Sequence, residues 1–357
     1  MLKKLYLHHF RNYTQAEMHF SPGVNWITGK NAQGKTNLLE AIYLLSTGRS
    51  FRTHQLSQLI QEGAGFFYLE AIIEKEGVEQ SLKLSFDGET KKVEYNATSY
   101  SHFTPLLGLL PHVLYAPEDS AIVSGSPAFR RKFLDIHLAQ IDPLYLHHLA
   151  RYHKAMRQRN ELLKKKSEVA IEPWEETMAH SAEYLMKKRS QIIQDLQTPL
   201  QEKMRQLSNG ADHLAFNYQS SLPLANHIEL FEYWKKNRKK ELYVGTTLYG
   251  PHRDDVNFTI GDLSVKSFAS MGQKHSIIGA LRICQWEHFK SHCGDLPFFS
   301  VDDFGAHLDQ DRQANFQEKL SHLGQIFLTS PTANKEIFQD KKVLEIDSGQ
   351  MFEKGCT

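Results

Sequence analysis

The chain has 357 residues, of which 41% are hydrophobic, and its 42 lysines and arginines against 41 aspartates and glutamates give a formal net charge of +1. This length exceeds that of one ordinary compact core, so we expect two domains or one domain with a large insertion. Because the charges balance, total charge gives no reason to expect a polyanionic partner. The three cysteines form no CxxC pair, so the sequence indicates neither a disulfide framework nor a cysteine-rich zinc site.

The N-terminal sequence predicts a small β element. Leu5 and Leu7 alternate with polar residues, as do Ala16, Met18 and Phe20, which is typical of half-buried strands. The first residues lack an apolar signal region, and no run of about 18 apolar residues occurs. We therefore expect a soluble, cytoplasmic protein in a reducing compartment, without a membrane partner.

A phosphate-binding loop follows the next predicted strand, Val24 to Thr28. Gly29, Gly34, Lys35 and Thr36 match G-x-x-x-x-G-K-[ST], in which backbone N–H groups cradle phosphates, the lysine reaches the terminal phosphates and the hydroxyl binds Mg²⁺. Apolar residues then recur at helical spacing, so a helix N-terminus faces the loop. This order predicts a nucleoside triphosphate site; the alternative is a glycine turn before an ordinary helix. The residues assigned to the nucleotide are Gly29, Lys30, Asn31, Ala32, Gln33, Gly34, Lys35, Thr36 and Asn37, with Thr36 also a metal ligand.

Two further regions have clear periodicity. Residues 66–96 alternate apolar and polar positions around an Asp87-Gly88 turn, which predicts an antiparallel meander. From about residue 142 to residue 207, apolar positions fall at spacings of three, four and seven, with a break near Val169 to Pro173. We expect two long antiparallel helices, the second reaching roughly 50 Å at about 1.5 Å per residue.

The helical region contains a basic segment that the near-neutral total charge does not reveal. Residues 127–166 carry ten basic and three acidic residues, so ten minus three leaves +7, and a second basic cluster follows Tyr233 and Trp234. Such runs are also typical of solvated helix faces, so by themselves they leave a nucleic-acid contact open. The basic residues assigned to that contact are Arg130, Arg131, Lys132, Arg151, Lys154, Arg157, Lys235, Lys236 and Arg238.

The C-terminal third contains the acidic residues that a nucleotide site requires. An apolar run from Leu296 ends in Asp302 and Asp303, and Asp309 follows. We assign Asp302 to the metal, Asp303 to the attacking water and Asp309 to the same catalytic group; an apolar strand ending in two acids is the alternative.

A second anion site is predicted where Ser270, Gly272 and Gln273 precede an apolar helix, since a hydroxyl, free N–H groups and the helix dipole converge there. A plain helix cap is the alternative. Two phosphate sites in one chain suggest that this signature closes over the γ-phosphate bound by a second copy, in a C₂ homodimer.

These motifs and their order resemble the ABC-type ATPase heads of SMC-like proteins and, in detail, the RecF family of bacterial recombination and repair proteins. The matching segments are Phe10 to Tyr13, Gly29 to Asn37, Gly48 to Arg52, Pro117 to Asp119, Arg130 to Asp135, Gln158 to Asn160, Gly250 to Asp254 and Ser270 to Gln273. Met271 departs from the glutamine usual in the family signature. In the strand at residues 326–332, hydroxyls such as that of Thr329 stand where transporter-type ABC proteins use a histidine.

The resemblance implies an α/β fold: a P-loop ABC-type ATPase head, with a mixed sheet and the antiparallel meander, carrying an inserted α-helical hairpin arm. We expect the head at residues 1–116 and 243–357 and the arm at 117–242. The implied function is ATP- and Mg²⁺-dependent binding of duplex, gapped or junction DNA by an ATP-induced dimer with weak, DNA-stimulated ATP hydrolysis. It would act with RecO and RecR to direct RecA loading in recombinational repair and replication-fork maintenance. The alternatives are an SMC-like head that tethers DNA and an ABC transporter subunit.

Overall fold

The structure is a computed structural model. It describes residues 1–208, 210, 213–223, 225–305, 310–332, 338, 341–347 and 349–354. The chain divides into two compact units. We call Met1–Asp119 together with Met271–Thr357 the head unit, and Ser120–Ser270 the arm unit.

The first part of the head unit contains strands β1 (Leu2–Phe10), β2 (Tyr13–His19) and β3 (Val24–Thr28), helix α1 (Lys35–Thr47), and strands β4 (Phe67–Lys75), β5 (Val78–Phe86), β6 (Lys91–Tyr95), β7 (Thr98–Tyr100) and β8 (His112–Tyr115). The arm unit contains helices α2 (Ser120–Ser124), α3 (Pro127–Ile141), α4 (Pro143–Lys164) and α5 (Glu172–Leu207), strand β9 (Leu214–Gln219), helix α6 (His227–Val244), strands β10 (Asp255–Ile260) and β11 (Leu263–Ser264), and the short helix α7 (Val265–Phe268). The head unit resumes with helix α8 (Met271–Cys293), strand β12 (Phe298–Val301), helix α9 (Gln310–Leu320) and strands β13 (Ile326–Ser330), β14 (Lys341–Asp347) and β15 (Gln350–Lys354).

The described residues of the head unit form two six-stranded sheets. The first is antiparallel, in the order β2-β1-β4-β5-β6-β7, and it includes the predicted meander, which is confirmed. The second is mixed, in the order β15-β14-β3-β13-β12-β8, with parallel pairing throughout except between β14 and β15. Its central strands are buried along their whole length, as expected of parallel strands covered on both faces.

Helix α1 is buried from Leu38 to Thr47, because its apolar residues contact both sheets. Leu38 and Leu44 belong to the same hydrophobic cluster as Phe67 of β4 and Phe327 of β13. A helix with apolar residues over most of its surface requires such an enclosed position. The P-loop at its N-terminus is thereby fixed to the strand ends of the mixed sheet.

The predicted pair of long helices is confirmed, since α4 and α5 are separated by residues 165–171. The 36 residues of α5 correspond to about 54 Å at 1.5 Å per residue. The arm unit is more than a hairpin, however. Helix α6 also packs on α5, and β9, β10 and β11 form a three-stranded antiparallel sheet.

Two buried charge networks fix the arm unit. Arg159 of α4 is fully buried and donates to Glu175 Oε1 at 2.9 Å and Glu241 Oε2 at 2.6 Å, which lie on α5 and α6. Arg189 of α5 donates to Asp135 Oδ1 at 2.8 Å and to the carbonyl of Pro251 at 2.6 Å. These contacts join helices distant in sequence, because an uncompensated buried charge is costly.

The predicted domain boundaries require a correction. The boundary after residue 242 falls inside α6, and residues 243–270 belong to the arm unit. The reason is the pairing of β10 with β9, which keeps the chain in the arm until Ser270. At the first boundary the division follows Asp119 rather than residue 116.

Candidate nucleotide site

The candidate site lies at the carboxyl ends of the parallel strands of the mixed sheet, where ligands bind in open α/β sheets. Strand β3 ends at Thr28, the loop runs from Gly29 to Gly34, and α1 begins at Lys35. Val301 ends the neighbouring strand β12, and Asp302 follows it directly. The sheet thus brings the predicted P-loop close to Asp302, the first of the predicted acids. Within the loop, Lys30, Asn31 and Ala32 are exposed and Gln33 is half-buried.

Both motif glycines are required by the backbone. Gly29 has a φ of 146°, and a Cβ there would lie 2.2 Å from the carbonyl oxygen of Ile346 on β14. Gly34 has a φ of 120°, and its Cβ would lie 2.8 Å from Asn12 Nδ2. Since side chains are excluded at both positions, the loop backbone can approach a bound group closely.

Thr36 and Asp302 form the centre of the site. Thr36 Oγ1 donates to the two carboxylate oxygens of Asp302 at 2.9 and 3.1 Å. Thr329 of β13 donates to Asp302 Oδ1 at 2.7 Å. Burial raises the pKa of Asp302, and the hydrogen bonds from Thr329 and Thr36 oppose that shift. The site therefore presents a hydroxyl and a carboxylate, the hard oxygen donors that Mg²⁺ prefers.

Lys35 reaches back across the P-loop. Its Nζ donates to the carbonyl of Gly29 at 2.6 Å and to that of Lys30 at 2.8 Å. Burial lowers the pKa of Lys35, while the charges of Asp303 and Asp302 raise it. The ammonium group is thus near both acids and has donors that phosphate oxygens can accept.

Asp303 is exposed and has a φ of 58°, and its backbone N–H donates to Thr329 Oγ1 at 2.8 Å. Thr329 therefore orients two consecutive acids, one buried and one facing solvent. Asp309, the third predicted acid, lies outside the described residues.

The turn between β1 and β2 supports the P-loop, a role that the sequence analysis missed. Asn12 Nδ2 donates to the carbonyl of Gln33 at 2.8 Å, and Asn12 Oδ1 accepts from Asn37 Nδ2 at 2.8 Å. The buried hydroxyl of Tyr13 donates to the carbonyl of Gly34 at 2.9 Å. In the sequence, the segment from Phe10 to Tyr13 matched the family pattern without an assigned role. That match was the one signal that could have indicated this contact.

A second missed contact surrounds Glu40 of α1, which is fully buried. Arg11 binds its two oxygens at 2.9 Å each, and Ser50 also donates to it. Arg52 is exposed and donates to Asn37 Oδ1 at 2.8 Å, so it lies next to the P-loop helix. These contacts give structural roles to Arg11, in the segment from Phe10 to Tyr13, and to Arg52, in the segment from Gly48 to Arg52.

The predicted signature lies at the start of α8. Ser270 is exposed, whereas Gly272 and Gln273 are half-buried. Ser276 donates to the carbonyl of Gly272 at 3.0 Å, and Arg312 of α9 donates to Ser276 Oγ at 2.7 Å. The hydrogen bonds that Lys35 and Thr36 make among the described residues do not include the signature.

The residues of the predicted basic contact divide into three groups by exposure. Arg151, Lys154, Arg157, Lys235 and Lys236 are exposed. Arg130 and Arg238 must be corrected, because each is buried in ion pairs. Arg130 binds both oxygens of Asp255 at 2.6 and 3.0 Å, and Arg238 binds Glu175. Arg131 and Lys132 are half-buried, and Arg131 donates to the carbonyl of Asp254 at 2.7 Å.

Neither helix length nor composition provides a membrane span, since no described helix is both long and apolar enough to cross a bilayer.

Comparison with known proteins identifies the fold. The chain matches the RecF/RecN/SMC N-terminal domain family over residues 1–348. It resembles an Smc head solved with the C-winged helix domain of ScpA, with a TM-score of 0.59 at 15% identity over 99% of this chain and 96% of that one. The predicted ATPase-head fold is therefore confirmed.

Closer relatives extend over the whole chain. The DNA replication and repair protein RecF of Protochlamydia amoebophila is 44% identical, covering 97% of this chain and 98% of the relative. That of Halalkalibacterium halodurans is 34% identical, covering 99% and 100%. The structure of the recombination mediator protein RecF-ATP in the RecFOR pathway matches with a TM-score of 0.91 at 28% identity, over 99% of this chain and 97% of that one. Together with the site geometry, these matches show that the chain belongs to the RecF family of DNA replication and repair proteins.

Proposed function

We propose that this protein is an ATP-dependent DNA-binding protein of recombinational repair and replication-fork maintenance. It binds ATP and Mg²⁺, dimerises on ATP, and holds duplex, gapped or junction DNA. With RecO and RecR it directs RecA loading, and it acts in the cytoplasm. The observation that carries the proposal is the contact of Thr36 with Asp302 beside Lys35, in a chain whose relatives include RecF-ATP in the RecFOR pathway.

The nucleotide part of the proposal assigns a role to each residue at the strand ends. The P-loop N–H groups, from Gly29 to Thr36, hold the phosphates at the N-terminus of α1. Lys35 exchanges its two carbonyl acceptors for phosphate oxygens. Thr36 Oγ1 and Asp302 hold Mg²⁺, which neutralises developing charge on the phosphates when bound.

The hydrolytic part rests on Asp303. It is exposed beside the buried Asp302, and its backbone is held by Thr329, so its carboxylate can orient or deprotonate a water molecule. We propose weak, DNA-stimulated hydrolysis, in which turnover resets a binding switch. Asp309 is retained as a third catalytic acid on the sequence pattern alone.

The dimer part rests on the signature. The exposed Ser270 and the N-terminal residues Gly272 and Gln273 of α8 offer donors to a γ-phosphate held by a second copy. Two copies of this chain related by C₂ symmetry are sufficient, because the signature of each copy contacts the γ-phosphate held by the other.

The DNA part rests on the exposed arm cations Arg151, Lys154, Arg157, Lys235 and Lys236. Their contacts with phosphates would make binding nearly independent of sequence and steeply dependent on salt. RecO and RecR are assigned as partners because solved relatives are described within the RecFOR pathway.

Two substitutions separate nucleotide binding from hydrolysis. Lys35→Met should abolish ATP-dependent dimerisation and DNA binding, whereas Asp303→Asn should retain both and slow ATP hydrolysis. Gel filtration with ATP, and DNA binding in ATP and in ADP, measure the difference. If wild-type DNA affinity is the same with ATP and ADP, the ATP-dependent switch is wrong.

The trans role of the signature has its own test. Ser270→Arg should prevent ATP-induced dimerisation while leaving ATP binding by the single chain intact. Ser267→Arg, at another exposed serine near the same segment, is the matched control. A Ser270→Arg protein that dimerises with ATP as well as the control does would contradict the proposed interface.

A further inference from the structure

A pocket of 640 Å³ lies on the arm unit between α4 and α5. Its lining includes His148 and Arg151 from α4, and His180, Glu183 and Lys187 from α5. This volume lies within the range of small-ligand sites. None of these residues belongs to the nucleotide site, and only Arg151 was assigned to a nucleic-acid contact from the sequence.

Two cations of this pocket are available to a ligand. Arg151 and Lys187 are exposed, and neither makes a hydrogen bond or an ion pair with any residue that the structure describes. A third cation, Lys188, is bound to Asp142 at 2.9 Å. Arg151 and Lys187 therefore leave two positive charges without a counter-ion in the described part of the arm.

One of the two histidines that line the pocket, His148, adds a hydrogen-bond donor. His148 stacks on Tyr184 with ring centroids 4.4 Å apart, and its Nδ1 is buried without a partner among the described residues. Burial lowers the pKa of His148, which favours the neutral ring. Because a buried N–H without an acceptor is costly, the proton belongs on Nε2, which makes that atom a donor.

The acidic side chains at the pocket are already occupied. Glu183 Oε2 accepts from the backbone N–H of His227 at 2.8 Å, and it lies 2.8 Å from His227 Nδ1. Asp142 binds Lys188 and accepts from the hydroxyl of Tyr184 at 2.8 Å. The lining carries three cations, Arg151, Lys187 and Lys188, against one carboxylate, that of Glu183, so its formal charge is +2 with neutral histidines and the pocket suits an anion.

The surface outside the pocket indicates an extended anion. Residues 143–160 of α4 contain no acidic residue, and Arg151, Lys154 and Arg157 are exposed at intervals of three residues. At about 1.5 Å per residue, Arg151 and Arg157 are about 9 Å apart along the helix axis, which is more than a single phosphate group spans. A single small phosphate would satisfy the pocket but would leave the remainder of this row unused.

We propose that the pocket between α4 and α5 binds a phosphate of the DNA backbone through Arg151, Lys187 and His148, with the same strand continuing along Lys154 and Arg157. This inference rests on the proposed DNA-binding function and locates its contact on the arm unit.

The test is a salt titration of DNA binding. Binding of a labelled duplex to the full-length protein with ATP is measured by anisotropy from 0.1 to 1 M salt. The double variant R151A/K187A removes the two cations that hold one phosphate, so the slope of log affinity against log salt should fall by about 0.9, which is roughly 8-fold weaker binding at 0.1 M if affinities converge at 1 M. The charge-preserving variant R151K/K187R should retain most of the wild-type slope.

The matched control is K165A/K239A, which removes the same charge from exposed lysines of the arm unit. Its slope should stay near that of the wild type; an equal loss would overturn the inference, because net charge alone would then explain the effect. If the wild-type protein binds no DNA, the proposed function and this inference both fail. If the wild type binds but R151A/K187A binds with the same slope, only the pocket assignment is wrong.

A last experiment distinguishes a backbone phosphate of DNA from free phosphate as the ligand. If inorganic phosphate raises the melting temperature of the wild type but not of R151A/K187A, while DNA binding is equal in the two proteins, the pocket is a free-phosphate site and the inference is overturned. Loss of the salt slope in R151A/K187A without a change in its phosphate response supports the DNA contact.

Discussion

Asn12 gives the sharpest test of how the P-loop is held. It belongs to the turn between β1 and β2 and contacts the loop at the carbonyl of Gln33 and the first turn of α1 at the side-chain amide of Asn37, each at 2.8 Å. Asn12→Ala removes both hydrogen bonds and adds no new group. The carbonyl of Gln33 keeps its contact with the N–H of Gly349 at 3.2 Å, and Asn37 keeps its contact with Arg52.

The expected magnitude follows from those two bonds. A typical intramolecular hydrogen bond contributes about 0.5–1.5 kcal/mol, so losing two costs about 1–3 kcal/mol. If the loss acts on the ordered loop that binds phosphates, ATP affinity should fall roughly 5- to 150-fold, since about 1.4 kcal/mol is a factor of ten. Asn12→Asp keeps the acceptor for Asn37, but it turns a carboxylate oxygen toward the Gln33 carbonyl and adds a negative charge beside the phosphate site, so it should lower ATP affinity at least as much as Asn12→Ala.

The assay is calorimetric titration with ATP, together with thermal unfolding of the nucleotide-free protein. Asn96→Ala is the matched control, because Asn96 caps a turn of the same antiparallel sheet, with Oδ1 accepting from the N–H of Ser81 at 2.9 Å, and is absent from the P-loop contacts. It should leave ATP affinity unchanged. An Asn12→Ala protein that binds ATP within about twofold of the wild type would refute the supporting role of the turn.

Three further predictions concern backbone, charge and pH. Gly29→Ala should abolish ATP binding and destabilise the fold by about 3 kcal/mol or more, because its Cβ meets the Ile346 carbonyl, whereas Gly63→Ala, with positive φ but open space, should cost only about 1 kcal/mol in denaturant unfolding. Arg159→Met should cost about 3–5 kcal/mol in the same assay, since it leaves two buried glutamates without this cation; a loss under about 1 kcal/mol would contradict the structure. Burial lowers the pKa of His112 from 6.5 to about 3, so between these pH values the unfolded chain binds more protons than the folded chain. About 2 kcal/mol of the free energy of unfolding that is present above pH 6.5 should therefore be lost by pH 5. His112→Gln should remove that part of the pH dependence, and an unchanged difference between pH 8 and pH 5 would disprove it.

The two groups of basic residues show why charge runs in a sequence are ambiguous. Arg151 and Arg159 lie on the same helix and look alike in the sequence. The first is exposed and has no partner in the described part of the arm, whereas the second is fully buried between two glutamates from other helices. Which arginine faces solvent depends on acids far away in the chain, and those pairings follow only from the packing of α4, α5 and α6.

The sequence by itself determined the features that local chemistry imposes. A glycine at Gly34 followed by Lys35 and Thr36, between an apolar strand and an apolar helix, allows few structures other than a P-loop. Alternation and helical spacing likewise fixed the meander and the long helices, since strand and helix periods are properties of the chain alone. The sequence assigned Thr36 and Asp302 to one metal ion, which stays a prediction, and the sheet brings the two side chains within hydrogen-bonding distance.

The tertiary structure decided the contacts between distant segments. Asn12 supports the P-loop only because β1 and β2 pair and turn toward α1, and Thr329 orients two acids only because β13 lies beside β12. The limit of the arm at Ser270 depends on the pairing of β10 with β9 across a 36-residue separation from Gln219 to Asp255. Such contacts have no local signature, because sequence patterns report the period of an element and not the neighbour against which it packs.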